Sequence, residues 1–144
     1  MMNEKNMKIV ISATGRDIES SIDATFGRAP FFLIIDTKTK EEKVIVNKVR
    51  DRPSGVGVAV DNIVLKEGID AVITTDIGPF AFEIFEQCRI RTYQAEGKIK
   101  DAIRQFEEGN LIELTKPTVS KYSGLKKRVR DLEGRSRSTR LKSL

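Results

Sequence analysis

Met7-Lys8-Ile9-Val10-Ile11-Ser12-Ala13, closed by Thr14-Gly15-Arg16, decides how the rest of the chain is read. From Ile9 to Ala13 the run is almost wholly apolar, with no alternation of apolar and polar positions. A strand that shows water to neither side has this pattern, so it belongs near the centre of a sheet covered on both faces. Downstream, Phe31-Phe32-Leu33-Ile34-Ile35-Asp36 and Lys43-Val44-Ile45-Val46-Asn47 flank the polar turn Thr37 to Glu42 and read as a hairpin with a longer loop.

Helices follow. After the loop Val49-Arg50-Asp51-Arg52-Pro53, Ser54 is a good N-cap, and Val56, Ala59, Val60, Ile63 and Val64 recur at helical spacing until Gly68. Ala71-Val72-Ile73-Thr74 is a second buried strand, and Asp76-Ile77-Gly78-Pro79 leads into a helix with proline near its first position and Ala81, Phe85 and Cys88 as its apolar stripe. Ile90 to Tyr93 makes a short strand. Ile99, Ala102, Ile103 and Phe106 then mark a third helix that ends at Gly109, and Leu111 to Leu114 is a candidate for a further edge strand. A hairpin start followed by right-handed crossovers predicts an α/β, ribonuclease H-like three-layer fold: a mixed five-stranded sheet of order 3-2-1-4-5 with helices on both faces.

The chain has 144 residues and a net charge of +5, unevenly distributed. Residues 1–115 hold 16 basic and 19 acidic residues, whereas residues 116–144 hold 10 basic and 2 acidic. We therefore expect one domain over 1–115 and a basic flexible tail over 116–144, suited to nucleic acid or another polyanion. Its only aromatic residue is Tyr122, which gives no platform for base stacking. A solubilising or assembly arm is the plainer reading. No apolar run approaches a membrane span and no signal-peptide pattern opens the chain, so a cytoplasmic protein is expected.

Absent residues exclude chemistry. With no histidine and a single cysteine, Cys88, one chain cannot build a histidine triad, a histidine zinc site, an internal disulfide or four-cysteine iron-sulfur ligation. A two-metal nuclease needs clustered carboxylates, and the first strand carries none, which leaves only the loop residues Asp17 and Asp76. The expectation is a protein that is not an enzyme.

Open α/β sheets bind ligands beyond the carboxyl ends of their parallel strands, where the strand order reverses. Arriving there are Thr14, Gly15 and Arg16 after the first strand and Asp76, Gly78 and Pro79 after the fourth; the helix start Ser54-Gly55-Val56-Gly57 is placed on the same rim less firmly, because it follows an antiparallel strand. Glycines and helix N-termini present N–H groups, so such a rim favours an anion, helped by Arg16, Arg28 and Arg52. The same glycines serve equally as turn and cap residues, and the arginines as solvated surface charge. Gly55-Val56-Gly57 lacks the third glycine and the preceding strand of a dinucleotide fingerprint. Cys88, on its apolar stripe, reads as a core residue before it reads as a ligand.

Met7 to Asp17, Ile22-Asp23-Ala24-Thr25-Phe26-Gly27-Arg28-Ala29-Pro30 with the strand that follows, Gly55 to Ala59, Asp70 to Thr74 with Ile77 to Ala81, and Gly97 to Ile99 with Ala102-Ile103 together resemble the dinitrogenase iron-molybdenum cofactor biosynthesis family. The resemblance spans about residues 7–114. It implies a ribonuclease H-like domain that binds or carries an iron-sulfur cluster or iron-molybdenum cofactor precursor, as nitrogenase accessory carriers and iron-sulfur storage proteins do. Ala29 stands where some relatives have cysteine. Without that ligand, an anionic cluster would be held by N–H groups and arginines, or by Cys88 from several chains of an oligomer. The expected function is a non-catalytic carrier of such a cluster, and the alternative is an interaction module acting through the basic tail.

Overall fold

The computed structural model describes residues 7–53 and 55–118. Ser54, expected as a helix cap, and residues 119–144 of the expected tail lie outside the described residues. The strands are β1 (Lys8–Ala13), β2 (Phe31–Asp36), β3 (Glu42–Val46), β4 (Ala71–Thr74), β5 (Arg91–Gln94) and β6 (Ile112–Glu113); the helices are α1 (Gly55–Glu67), α2 (Pro79–Gln87) and α3 (Ile99–Glu107).

They form one mixed sheet of order β3-β2-β1-β4-β5-β6. The expected five strands are thus six. The candidate edge segment does pair, Tyr93 with Glu113 and Gln94 with Ile112, but over so few exposed residues that no strand periodicity could develop. β1 lies parallel to β4 and antiparallel to β2, with Ile11 opposite both Ile73 and Leu33.

β1 is buried from Ile9 to Ala13, as its unbroken apolar run requires. On one side of the sheet Val10, Phe32, Ile34 and Val72 pack with α1 and α2; on the other, Ile9, Ile11, Leu33 and Ile73 pack with α3 through Ile99 and Ala102. The α1/α2 side is centred on Phe26, whose ring lies 5.0 Å from Phe32 and 5.3 Å from Phe85. Such aromatic pairs add about 0.5–1.5 kcal/mol each beyond the area they bury. α1 and α3 are followed by Gly68 (φ +67°) and Gly109 (φ +77°), left-handed positions that stop a helix at little steric cost.

The Cys88 expectation needs correction. Cys88 is exposed at the C-cap of α2, and Ala81, Phe82 and Phe85 supply the buried face instead. The helix ends one residue before Cys88 would complete its stripe, because Ile90 must turn into β5 through Arg89, at φ +62°.

Candidate functional site

β3 runs antiparallel to β2, which runs antiparallel to β1, so β3 and β1 point the same way. α1, which follows β3, therefore starts at the carboxyl ends of β1 and β4, where α2 also starts. The two first turns touch. A Cβ on Gly57 would lie 3.0 Å from the Phe80 ring, so glycine lets the second helix lie against the first. A Cβ on Gly27 would crowd Val56, with Val56 Cγ1 at 2.9 Å, and one on Gly55 would run into the Val49 carbonyl. These glycines hold close approaches of backbone.

One buried side chain that the sequence reading did not single out fixes this corner. Asn47 Nδ2 donates to Gly27 O (3.1 Å) and Ala29 O (2.9 Å), and its Oδ1 accepts from Val49 N–H (3.3 Å). A lone asparagine ending the apolar run of β3 was the available signal. Arg28 completes the tie: its Nη1 donates to Arg50 O (2.6 Å) and Arg52 O (2.7 Å), while Arg50 Nε donates to Arg28 O (3.1 Å). Arg28 thus positions the loop, and Arg50 and Arg52 are the exposed cations carried beside the start of α1, where Gly55 N–H donates to Arg52 O at 3.0 Å.

The crevice between β1 and β4 is filled. Ser12 and Thr74, both fully buried, share a 2.8 Å hydroxyl contact, and Ser12 Oγ donates to Asp23 O. Residues 21–26 cross over this pair: Asp23 N–H donates to Ser12 O, Asp76 N–H to Ala24 O (2.7 Å) and Phe26 N–H to Asp76 O (3.1 Å). Thr14 N–H is taken by Ser21 O, and Ile77 N–H by Thr118 Oγ1 at 2.8 Å. The amides of Thr14, Asp76 and Ile77 are therefore bonded internally.

This crossing also divides the expected site residues. Arg16 stacks over Phe31 with its Cζ 4.7 Å from the ring centre, and Phe31 packs with the α3-side cluster. Thr14, Gly15 and Arg16 thus form a separate corner. Gly55, Gly57, Asp76, Gly78, Pro79, Arg28 and Arg52 gather around the starts of α1 and α2. Gly78 is the N-cap of α2 and has no side chain to bond the first-turn amides, and Pro79 occupies the first helical position. Phe80 (58% exposed) and Val58 (40%) border this rim.

A groove of about 340 Å³ lies at the other end of α2, lined by Glu86, Arg89, Arg91, Thr92 and Glu113. Arg91 faces Glu113 at 3.9 Å, and this pairing of opposite signs does not favour an anion. Among the described residues no cluster of carboxylate or cysteine side chains is placed to hold a metal ion, and no helix is long and apolar enough to cross a membrane.

Comparisons with known proteins bear on the same region. The family model described as dinitrogenase iron-molybdenum cofactor matches residues 7–109. An uncharacterized protein of Methanocaldococcus jannaschii is 30% identical over 112 residues, covering 74% of this chain and 95% of its own. The apo form of the orange protein from Desulfovibrio gigas superposes with a TM-score of 0.72 at 23% identity, over 78% of this chain and 96% of that one. A Thermotoga protein described as NifB-like has a TM-score of 0.69 at 31% identity, over 78% and 97% of the two chains.

Proposed function

Because the chain belongs to the dinitrogenase iron-molybdenum cofactor family, we propose that it is a non-catalytic cytoplasmic carrier of an anionic iron-sulfur cluster or iron-molybdenum cofactor precursor. One observation carries this reading. The first turns of α1 and α2 meet at Gly57 and Phe80, beside the loop that presents Arg50 and Arg52. Each helix N-terminus presents unpaired N–H groups and about half a positive charge, so two side by side with guanidinium groups attract a compact anion. The order β3-β2-β1-β4-β5, with α1 and α2 on one face and α3 on the other, supports a ribonuclease H-like frame for the site.

The cluster is cargo. Its contacts would be N–H donors, guanidinium groups and the apolar edge of Phe80, a set that binds by charge and shape and releases without breaking a metal–protein bond. Cys88 sits at the far end of α2, and a nine-residue helix spaces its ends by about 13 Å, so it takes no part at this rim.

Anaerobic incubation with iron and sulfide tests the reading. The expected result is a coloured complex whose bound iron falls when Arg50 and Arg52 are both replaced by glutamine. A colourless, iron-free protein under those conditions would contradict it.

A further inference from the structure

The sheet is open along β3. This strand ends the order β3-β2-β1-β4-β5-β6, and among the described residues only β2 pairs with it. Bonds at its two ends fix which way its backbone groups point. Asp36 N–H donates to Glu41 O (3.0 Å) and Asn47 N–H donates to Pro30 O (2.9 Å), so Glu41 and Asn47 turn their polar groups toward β2. Backbone groups alternate sides along an antiparallel strand, so Lys43 and Ile45 also face β2, whereas Glu42, Val44 and Val46 present N–H and C=O outward. Side chains alternate between the faces of the sheet. Ile45 packs on the α1/α2 side and Val44 on the α3 side, which Val46, 42% exposed, shares by alternation.

We propose that β3 is a docking edge for a second copy of this chain, the two β3 strands pairing antiparallel about a twofold axis at Ile45. Only registers that set outward backbone groups against outward backbone groups can bond. The register centred on Ile45 sets Val44 opposite Val46 of the second copy and Val46 opposite its Val44, each pair exchanging both N–H···O bonds. It lays the two Ile45 side chains together on the α1/α2 side and brings Glu42 toward Lys48 of the second copy at each end. Both are exposed, and neither makes an ion pair among the described residues. Centring on Val44 would instead set Glu42 against Val46, and centring on Val46 would set Lys48 against Val44. Apolar pairs at the middle and opposite charges at the ends make the edge self-complementary in one register. The other edge of the sheet, β6, has two residues, too few for a like pairing, so assembly stops at two copies. Antiparallel pairing puts the two α1/α2 rims at opposite ends of the joined sheet, so the proposal stands apart from the carrier reading.

Sedimentation velocity of the full-length protein from micromolar to millimolar concentration tests it, with hydrogen exchange of the β3 amides at the same concentrations. The expected result is a reversible dimer with no larger species, exchange at Val44 and Val46 slowing as the dimer forms while Ile45, already facing β2, changes little. Val46→Pro removes an outward N–H that the β2–β3 ladder does not use and should leave a monomer at every concentration. Glu42→Lys and Lys48→Glu should each weaken dimerisation about fivefold, and the double variant should return to within about twofold of wild type. A wild type that is monomeric throughout, or a dimer indifferent to Val46→Pro and to both single reversals, would overturn the proposal. So would a double variant that dimerises no better than the single ones, since the register would then differ. Slow exchange at Val44 and Val46 at every concentration would mean that another part of the chain covers the edge, and species growing beyond two copies would mean open-ended stacking of sheets; each is also against it. If Val46→Pro fails to fold by circular dichroism, the charge exchange between Glu42 and Lys48 decides alone.

Discussion

Two regions at the carboxyl ends of the same strands hold the same ingredients and end differently. The crevice between β1 and β4 has a glycine loop, an arginine and a turn of free-looking backbone, yet residues 21–26 lie across it, and Ser21 O and Ala24 O take the Thr14 and Asp76 amides. The corner where α1 and α2 start has glycines, arginines and helix amides too, but there the arginine Arg28 ties down carbonyls of the neighbouring loop. Hydrogen-bond supply from the chain itself decides which of two similar rims closes. The first region is tied up by the chain itself, and the second is the one we propose takes the anion.

Substitutions can break that division, and the largest expected effect is at Gly55. Alanine there places a methyl group on the Val49 carbonyl, backbone against backbone, so Gly55→Ala should lose about 3 kcal/mol or more in chemical unfolding. Gly27→Ala meets the Val56 side chain, its Cβ at 3.0 Å, but no backbone, so a smaller loss of about 1–3 kcal/mol is expected. In the closed crevice, Thr74→Val removes one partner of a buried hydroxyl pair and should cost about 1–2 kcal/mol by the same assay, with anion binding unchanged. Loss of binding in that variant would mean that the crevice is part of the site after all.

The smallest effect lies away from both regions and serves as a control. Asp36 turns the hairpin, its Oδ1 accepting from Thr39 N–H (3.1 Å) and Lys38 N–H (2.9 Å). Chiefly the Thr39 N–H, with help from Lys38 N–H and the Lys8 charge, holds its carboxyl below the usual carboxylate value against some desolvation. A folded value below the unfolded one stabilises at pH above the unfolded value, and this contribution fades as pH falls through the folded value. Asp36→Asn should therefore lower the unfolding midpoint slightly at neutral pH, and its difference from wild type should shrink in acid. A difference constant with pH would show that the carboxylate charge is irrelevant to the turn.

Much of the frame was legible because its signals are local. The unbroken run Ile9 to Ala13 placed the central strand, the spacing of Ala59, Val60 and Ile63 placed α1, and Pro79 placed the start of α2. β6 was left out of the expected sheet because a two-residue pairing has no period to read. The gathering of Gly55, Gly57, Gly78 and Arg52 at one corner followed from strand direction, including the doubtful start of α1, since β3 points with β1. What the sequence could not reveal was which amides the chain itself would take. The segment 21–26 crosses the sheet end by backbone hydrogen bonds that any side chains would permit, so no residue pattern announces it. Asn47 through its Nδ2 and Thr118 through its hydroxyl reach carbonyl and amide groups 18 to 41 residues away, beyond the reach of any local motif.

Backbone amide shifts of the protein before and after anaerobic loading with iron and sulfide test the central claim most directly. The account predicts changes concentrated at Gly57, Phe80, Ala81 and the loop from Arg50 to Arg52, with Thr14, Gly15 and Arg16 unmoved. Changes centred on Thr14 to Arg16, with the starts of α1 and α2 silent, would contradict it.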